Sequence, residues 1–434
     1  MRKIFYVIVL LLGISVRAQD AGLITKSDVL KKVKEQNYNI KIAEQELYSA
    51  KGDYRQSNAV FLPNVKLSHT AMATTNPLMA FGFKLNQEIV TQADFNPAAL
   101  NNPKKIENYA TQINIEQPLL NLDAIYQRKA AKTKYKASEL QLSRVKDYAI
   151  LQAEKAYMEL QLAYKSVAVL KKALATAKEN LRIANSNYKQ GYLQKSDVLS
   201  VEVRVTELNN QLQFAKSNII NTSNQLQLIM GNLETGVLQP SDSLVLVDTL
   251  VNTTDFSIQN RKDVMAYAKA VEARKQLLRS ERLRSLPRLN LFGSYELYDD
   301  ALFAGNANGY LIGAALSWDI FEGGKRLGKM YKNKAELKKS EITLAQYKNE
   351  SELALSQARR NIMDIKNEVD LAALALQQSD EVLRIRTNRF KQGLEKTTDI
   401  LQAETQFAQK QLAYYQAVFK YNYAMAYLDF LTKQ

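Results

Sequence analysis

The chain has 434 residues, 46% hydrophobic, with a formal net charge of +15 and only 15 glycines and 7 prolines, a composition that suits long helices and excludes a loop-rich fold. It contains no cysteine, so no disulfide or lipid-modified cysteine can form, and with His69 as the only histidine, multi-histidine metal sites and histidine acid–base chemistry are excluded. Lysine and arginine are spread among Glu and Gln along helical stretches, so the positive balance reads as solvated helix faces, with no nucleic-acid partner.

Residues 1–18 read as an export signal peptide: Arg2 and Lys3 lead into an apolar run from Ile4 to Ile14, and Val16-Arg17-Ala18 offers a cut site. That run is too short to span a membrane comfortably. Cleavage would remove Arg2, Lys3 and Arg17 and leave a charge of +12. A first repeat then covers 19–230. Its helices occupy 25–60, with Thr25 and Asp28 capping the first, and a second pattern from about Tyr38 to Val60. Leu62-Pro63 stops them. Period-two alternation predicts strands over 64–73 and 109–118, the second ending at Gln117-Pro118. Between them, residues 73–108 are rich in Asn, Pro, Phe and Gly and read as a long loop with a short element near Phe83 to Thr91.

No Pro or Gly interrupts the helix predicted over 121–188, which at 1.5 Å per residue is roughly 100 Å long. Its return helix, 196–230, carries Val198, Val201, Val205, Leu208 and Leu212 at alternating three- and four-residue steps, a coiled-coil seam. The return covers only half the outgoing helix, and the segment 38–60 can supply the rest. Residues 231–256 read as a linker. A second repeat, 257–434, follows with a helix over 260–285, strands over 288–298 and 310–319, a long helix over 322–390 and a return helix over 396–430.

The duplication is plainest at the hairpin tips. Leu181 to Glu202 matches Leu383 to Glu404 at 9 of 22 positions without a gap, 202 residues apart. In each copy a helix runs into Gly191 or Gly393, which can take the left-handed conformation that ends a helix. Ser196-Asp197 and Thr398-Asp399 follow as caps for the returning helix. The strands have about ten residues each, the length of a transmembrane β-strand. Four cannot close a barrel and an open edge is not tolerated in lipid, so spanning needs other copies: two would give eight strands, three would give twelve.

The order and spacing of these features resemble the TolC-like outer membrane efflux protein family along essentially the whole mature chain. The resemblance is carried by the joins Leu62-Pro63 and Leu286-Pro287, by Gln117-Pro118-Leu119-Leu120 and Asp319-Ile320-Phe321-Glu322-Gly323-Gly324, and by the two Gly-to-Asp-x-Leu tips. It implies an α+β membrane protein of duplicated helix-strand-strand-helix-helix units. Such a protein forms a homotrimer with a 12-stranded β-barrel in the outer membrane of a Gram-negative-type cell, continued by a long periplasmic α-helical coiled-coil barrel. It also implies an exit duct for efflux or type I secretion, served by a periplasmic adaptor (membrane fusion) protein and an inner-membrane pump.

The same resemblance makes Gly191, Tyr192, Gly393 and Leu394 the adaptor-contacting tip and places Asp197 and Asp399 at the periplasmic gate. The family's best-known member closes that gate with a Tyr three residues before the second Gly and an Arg two after it. Here Phe390 and Glu395 hold those positions, so the same bonds cannot form, and Lys189, Lys195, Arg389, Lys391 and Lys396 are the cations available to the two Asp. Trp318 and Tyr310 suit an aromatic girdle. No catalytic constellation or cofactor motif is present. The alternative reading is a soluble periplasmic coiled-coil adaptor or structural protein.

Overall fold

The computed structural model describes residues 22–231, 236–247 and 257–434, so the expected leader over 1–18 and part of the expected linker lie outside the described residues. Strand β1 (Gly22–Ile24) leads into α1 (Lys26–Gln36) and, after Asn37, α2 (Tyr38–Gln56). Thr25 caps α1: its hydroxyl accepts the Asp28 N–H at 3.1 Å while the Asp28 carboxylate accepts the Thr25 N–H at 3.3 Å. The Thr25 hydroxyl also donates to the Asp28 carboxylate at 2.6 Å, and this bond, followed by the one from the Thr25 N–H, holds the Asp28 carboxyl below its usual range. Strand β2 (Asn64–Thr74), helices α3 (Pro77–Asn86) and α4 (Pro97–Asn101), and strand β3 (Ile106–Leu120) come next. Helix α5 (Leu122–Lys189) has 68 residues and returns as α6 (Lys195–Ile229). After β4 (Leu238–Pro240) the second cycle runs through α7 (Lys262–Leu283), β5 (Arg288–Asp299), β6 (Ala307–Ser317), the 67-residue α8 (Lys325–Lys391) and α9 (Thr397–Thr432).

Two compact units result. One comprises the described chain up to Glu44 with Leu142–Arg261 and Asn349–Gln434; the other comprises Gln45–Gln141 and Lys262–Lys348. The first is helical. Its main core sets Val29, Val33 and Ile40 against Tyr157 and Leu160 of α5, and continues toward the tip through Leu170, Leu174, Leu208 and Leu212. Small residues on α5, among them Ala153, Ala156, Ala163 and Ala177, let the helices approach closely. The end of α6 meets the α1–α2 junction, where the Asn37 amide donates to the Ile229 carbonyl at 2.7 Å. From there α2 runs beside α5: Lys146 pairs with Glu44 at 3.0 Å, and in the other unit Arg128 donates to the Tyr54 hydroxyl at 3.1 Å.

Sequence periodicity misses the parallel pair β1–β4, in which Gly22 stands opposite Leu238 and Ile24 opposite Pro240. Three-residue strands carry too little alternation to be read. Residues 238–240, assigned to the linker, are therefore a strand, and Tyr164 on α5 fixes them by donating from its hydroxyl to the Leu238 carbonyl at 3.0 Å.

The second unit is built on one antiparallel sheet of order β2-β3-β5-β6. Strand β3 exceeds its sequence bounds at both ends because it has a partner on each side. Pro118 lies within it, but β2 pairs no further than Glu116, so the missing N–H leaves no gap on that side. Helix α8 begins at Lys325, three residues later than its sequence bound, because Gly323 and Gly324 hold φ of +57° and +79°. Strand β6 is shifted the other way, to 307–317, which puts Trp318 just beyond it. The largest departure is the connection 75–105, which folds into α3 and α4; its helix lies at Pro77–Asn86, ahead of the element expected near 83–91.

Candidate functional site

The strand register sorts side chains into two faces. Val65, Ile115, Gly293 and Ile312 stand in one row across the four strands and Leu67, Ile113, Tyr295 and Tyr310 in the next. The opposite face carries Lys66, Asn114, Ser294 and Leu311 in one row and Ser68, Gln112, Glu296 and Gly309 in another, polar across β2 and β3 with Phe292 and Leu311 as apolar members on β5 and β6. Polar groups there bond to one another: Gln112 donates to Glu296 at 2.5 Å and Asn290 donates to Glu116 at 3.1 Å. The Phe292 ring reaches over Gly313, where an added Cβ would stand 2.6 Å from its Cζ. The apolar face is bare, with Ile312 77% exposed. An apolar face of this extent marks a surface that something else covers. His69, an ordinary strand residue as expected, sits on the apolar side, its Nδ1 2.8 Å from the Thr111 hydroxyl and its ring stacked 4.6 Å from Phe303. Among the described residues neither β2 nor β6 has a second strand partner, so both edges of the sheet are open.

The tips lie in the helical unit and close alike. The Gly191 N–H donates to the Tyr188 carbonyl at 3.0 Å and the Tyr192 N–H to Asn187 at 2.9 Å; Gly393 and Leu394 repeat this with Phe390 at 3.1 Å and Arg389 at 2.9 Å. This is the Schellman closure, and it requires the positive φ of +81° and +72° that the two glycines hold. Tyr192 and Leu394 are exposed at the apices. The capping expectation is corrected. The turns take three residues after each glycine, so the caps are Gln194 and Lys396, while Ser196 and Thr398 lie inside the first helical turns. Asp197 acts from the third helical position, its carboxylate accepting the Gln194 N–H at 3.1 Å.

Side chains then make the two tips unlike. Phe390 is 1% exposed and fills an apolar cluster with Ile183, Ala184, Val198, Val201 and Ile400 that joins the hairpins. Within one chain it is thus a packing residue. Glu395 accepts from Arg386 at 2.9 Å and from Arg389 at 2.8 Å, and Arg386 also lies 3.5 Å from Asp399. Arg386 is absent from the cations expected to serve the Asp residues. In the first tip the positions equivalent to Arg386 and Glu395 are Ala184 and Leu193, both in the apolar cluster. One tip therefore carries an apolar pair where the other carries an ion pair. Asp197 and Asp399 both lie in the first turns of the returning helices.

Sequence reasoning also passed over a polar layer nearby. Glu404 on α9 is 5% exposed, accepts from the buried Asn180 amide of α5, and has its Oε2 unpartnered among the described residues. Burial pushes its carboxyl up to about 7, opposed by the Asn180 bond and by Arg204. Glu202, its counterpart in the first repeat, is exposed. A cavity of about 80 Å³ lies here, with Glu404, Arg204, Lys172 and Asp380 in its walls. Among the described residues no group of His, Asp or Glu gathers to hold a metal ion, and no helix is long and apolar enough to cross a membrane.

Comparison with known proteins places this architecture. The family model described as outer membrane efflux protein matches residues 29–232 and 255–432. No curated protein matches the chain in sequence. Solved structures share the fold: a membrane protein from Pseudomonas aeruginosa has a TM-score of 0.81 at 16% identity, over 94% of this chain and 92% of that one. The CmeC outer membrane channel of Campylobacter jejuni has a TM-score of 0.80 at 18% identity, over 94% and 85%. The MtrE outer membrane channel of Neisseria gonorrhoeae, in its open state, has a TM-score of 0.76 at 15% identity, over 94% and 88%.

Proposed function

This chain belongs to the outer membrane efflux protein family, and on that premise we propose that three copies form the outer membrane channel of a tripartite efflux or type I secretion system. The observation that carries the proposal is the sheet: one apolar face continuous across four strands, an opposite face that is polar on β2 and β3 and mixed on β5 and β6, and two open edges. In lipid each open edge must find a partner, and β6 of one copy beside β2 of the next satisfies both. Three copies give twelve strands, wide enough for a lumen lined by Lys66, Gln112, Glu116 and Glu296. The long helices would continue that lumen into the periplasm.

The tips then form the periplasmic mouth. Gly191, Tyr192, Gly393 and Leu394 offer exposed apices for a periplasmic adaptor, which couples the channel to an inner-membrane pump. Asp197 and Asp399 contribute to a carboxylate ring that favours cations at the constriction. Phe390 and Glu395 act from behind this ring by fixing the hairpins that carry it. Residues 1–18 serve as a cleaved export leader. These roles are tested by fractionating cells that express the full chain and reconstituting the product in planar bilayers. A heat-modifiable outer-membrane oligomer whose conductance rises on Asp399→Ala supports them. A soluble monomer would return the soluble coiled-coil alternative.

A further inference from the structure

The first β-hairpin is connected by 31 residues (75–105) and the second by 7 (300–306). The longer connection is folded: Asn76 caps α3, accepting the Met79 N–H at 3.2 Å, and Lys84 pairs with Asp94 at 2.5 Å, holding that carboxyl at about 2. Phe81 meets Phe95 edge-on at 5.6 Å. The face on which this insertion rests is the telling feature. By strand alternation Ile106 and Asn108 share a side with Gln112, Asn114 and Glu116, the polar side of the sheet. Ala80 and Phe83 bury against Ile106. The Gln87 amide donates to the Asn108 side chain at 3.0 Å and to the Glu107 and Asp299 carbonyls at 2.8 and 3.2 Å, bridging β3 and β5. The insertion is thus pinned on the polar face, at the strand ends opposite those that lead into the long helices.

It nevertheless leaves an apolar surface bare. Leu78 is 83% and Phe95 61% exposed, and Met79, Leu85 and Ile89 are exposed beside them. Lipid covers the other face of the sheet, so it cannot cover these side chains. In a closed ring of copies the matching surface at the same level is the same segment of the next copy. We propose that the 75–105 insertions of neighbouring copies pack on one another through these side chains, forming an apolar collar at the outer mouth of the duct. The collar is a second constriction in series with the tips, one that resists ions by excluding water. It rests on the channel reading above, in which the polar face lines the lumen.

The chain has no native cysteine, so single substitutions report contacts cleanly. Leu78→Cys, Ile89→Cys and Phe95→Cys, each in the full chain in outer membranes, are oxidised and run on non-reducing gels. The collar gives a covalent dimer from at least one of the three and none from Tyr310→Cys on the apolar face. No dimer from any of them overturns it. Conductance gives an independent measure: in an Asp399→Ala background, which relieves the periplasmic constriction, Leu78→Ser with Phe95→Ser should raise single-channel conductance about two-fold as water enters the collar. Conductance unchanged by the pair, in a channel that forms and responds to Asp399→Ala, sinks the collar and leaves the channel standing. No conductance from any version would instead contradict the channel reading.

Discussion

Replacing Glu404 by Gln should abolish a pH dependence carried by the wild-type tip. Burial raises the Glu404 carboxyl from 4.5 to about 7, so the packed hairpins favour its neutral form. The sign follows from linkage: between these two values the folded state holds a proton that the opened state has released. Stability is full below pH 4.5, falls as pH rises toward about 7, and is level above that. The displacement corresponds to about 3 kcal/mol between the ends of the window. Lys172 on α5, Arg204 on α6 and Asp380 on α8 are the charged groups in the cavity wall around it. Gln keeps the size of the side chain and can still accept from Asn180, so the variant should fold. Hydrogen exchange of peptides spanning 396–408, corrected for the intrinsic pH dependence of exchange, reads the opening free energy. Wild type should lose about 3 kcal/mol of protection from pH 4.5 to 8 while Glu404→Gln stays flat. Parallel curves for the two proteins would refute the reasoning.

Arg386→Ala should loosen the second tip by about 1 kcal/mol, a small figure because the guanidinium is partly exposed and screened. Adding Glu395→Leu, which copies the Ala184 and Leu193 of the first tip, should recover that loss in the same exchange assay; no recovery would mean the two tips are not interchangeable. Gly393→Ala meets no atom within 4 Å but must hold φ of +72°, so it should cost about 1 kcal/mol from backbone strain, as should Gly191→Ala. Gly313→Val should lower the thermal stability of the assembled protein by about 1–3 kcal/mol because the added carbons strike Phe292. Phe292→Ala should relieve most of that loss; a strictly additive double mutant would count against the contact.

Much of this fold was legible because its signals are long. Helices of 68 and 67 residues without internal breakers, and strands whose alternation runs ten residues, override local ambiguity. The tips were legible because they occur twice. What escaped depends on context that periodicity does not encode. β1 and β4 are too short to alternate, and α3 hides in a segment whose Pro77 and Gly82 read as loop. The resemblance places Phe390 at the gate, and its burial in the cluster between the hairpins rests on tertiary packing that periodicity does not encode. Arg386 was overlooked because its counterpart in the aligned repeat, Ala184, is apolar and gives no sign of a charge there. The burial of Glu404 could not be read at all, since Glu202 at the equivalent position is exposed.

If two other copies close the open edges of the four-stranded sheet, the protein in the outer membrane is a trimer. Native mass spectrometry of the protein extracted from outer membranes in mild detergent tests it most directly. The expected spectrum is a single dominant species of three mature chains, giving twelve strands, that dissociates only on heating. A dominant monomer, or a species of two chains and eight strands, would contradict it.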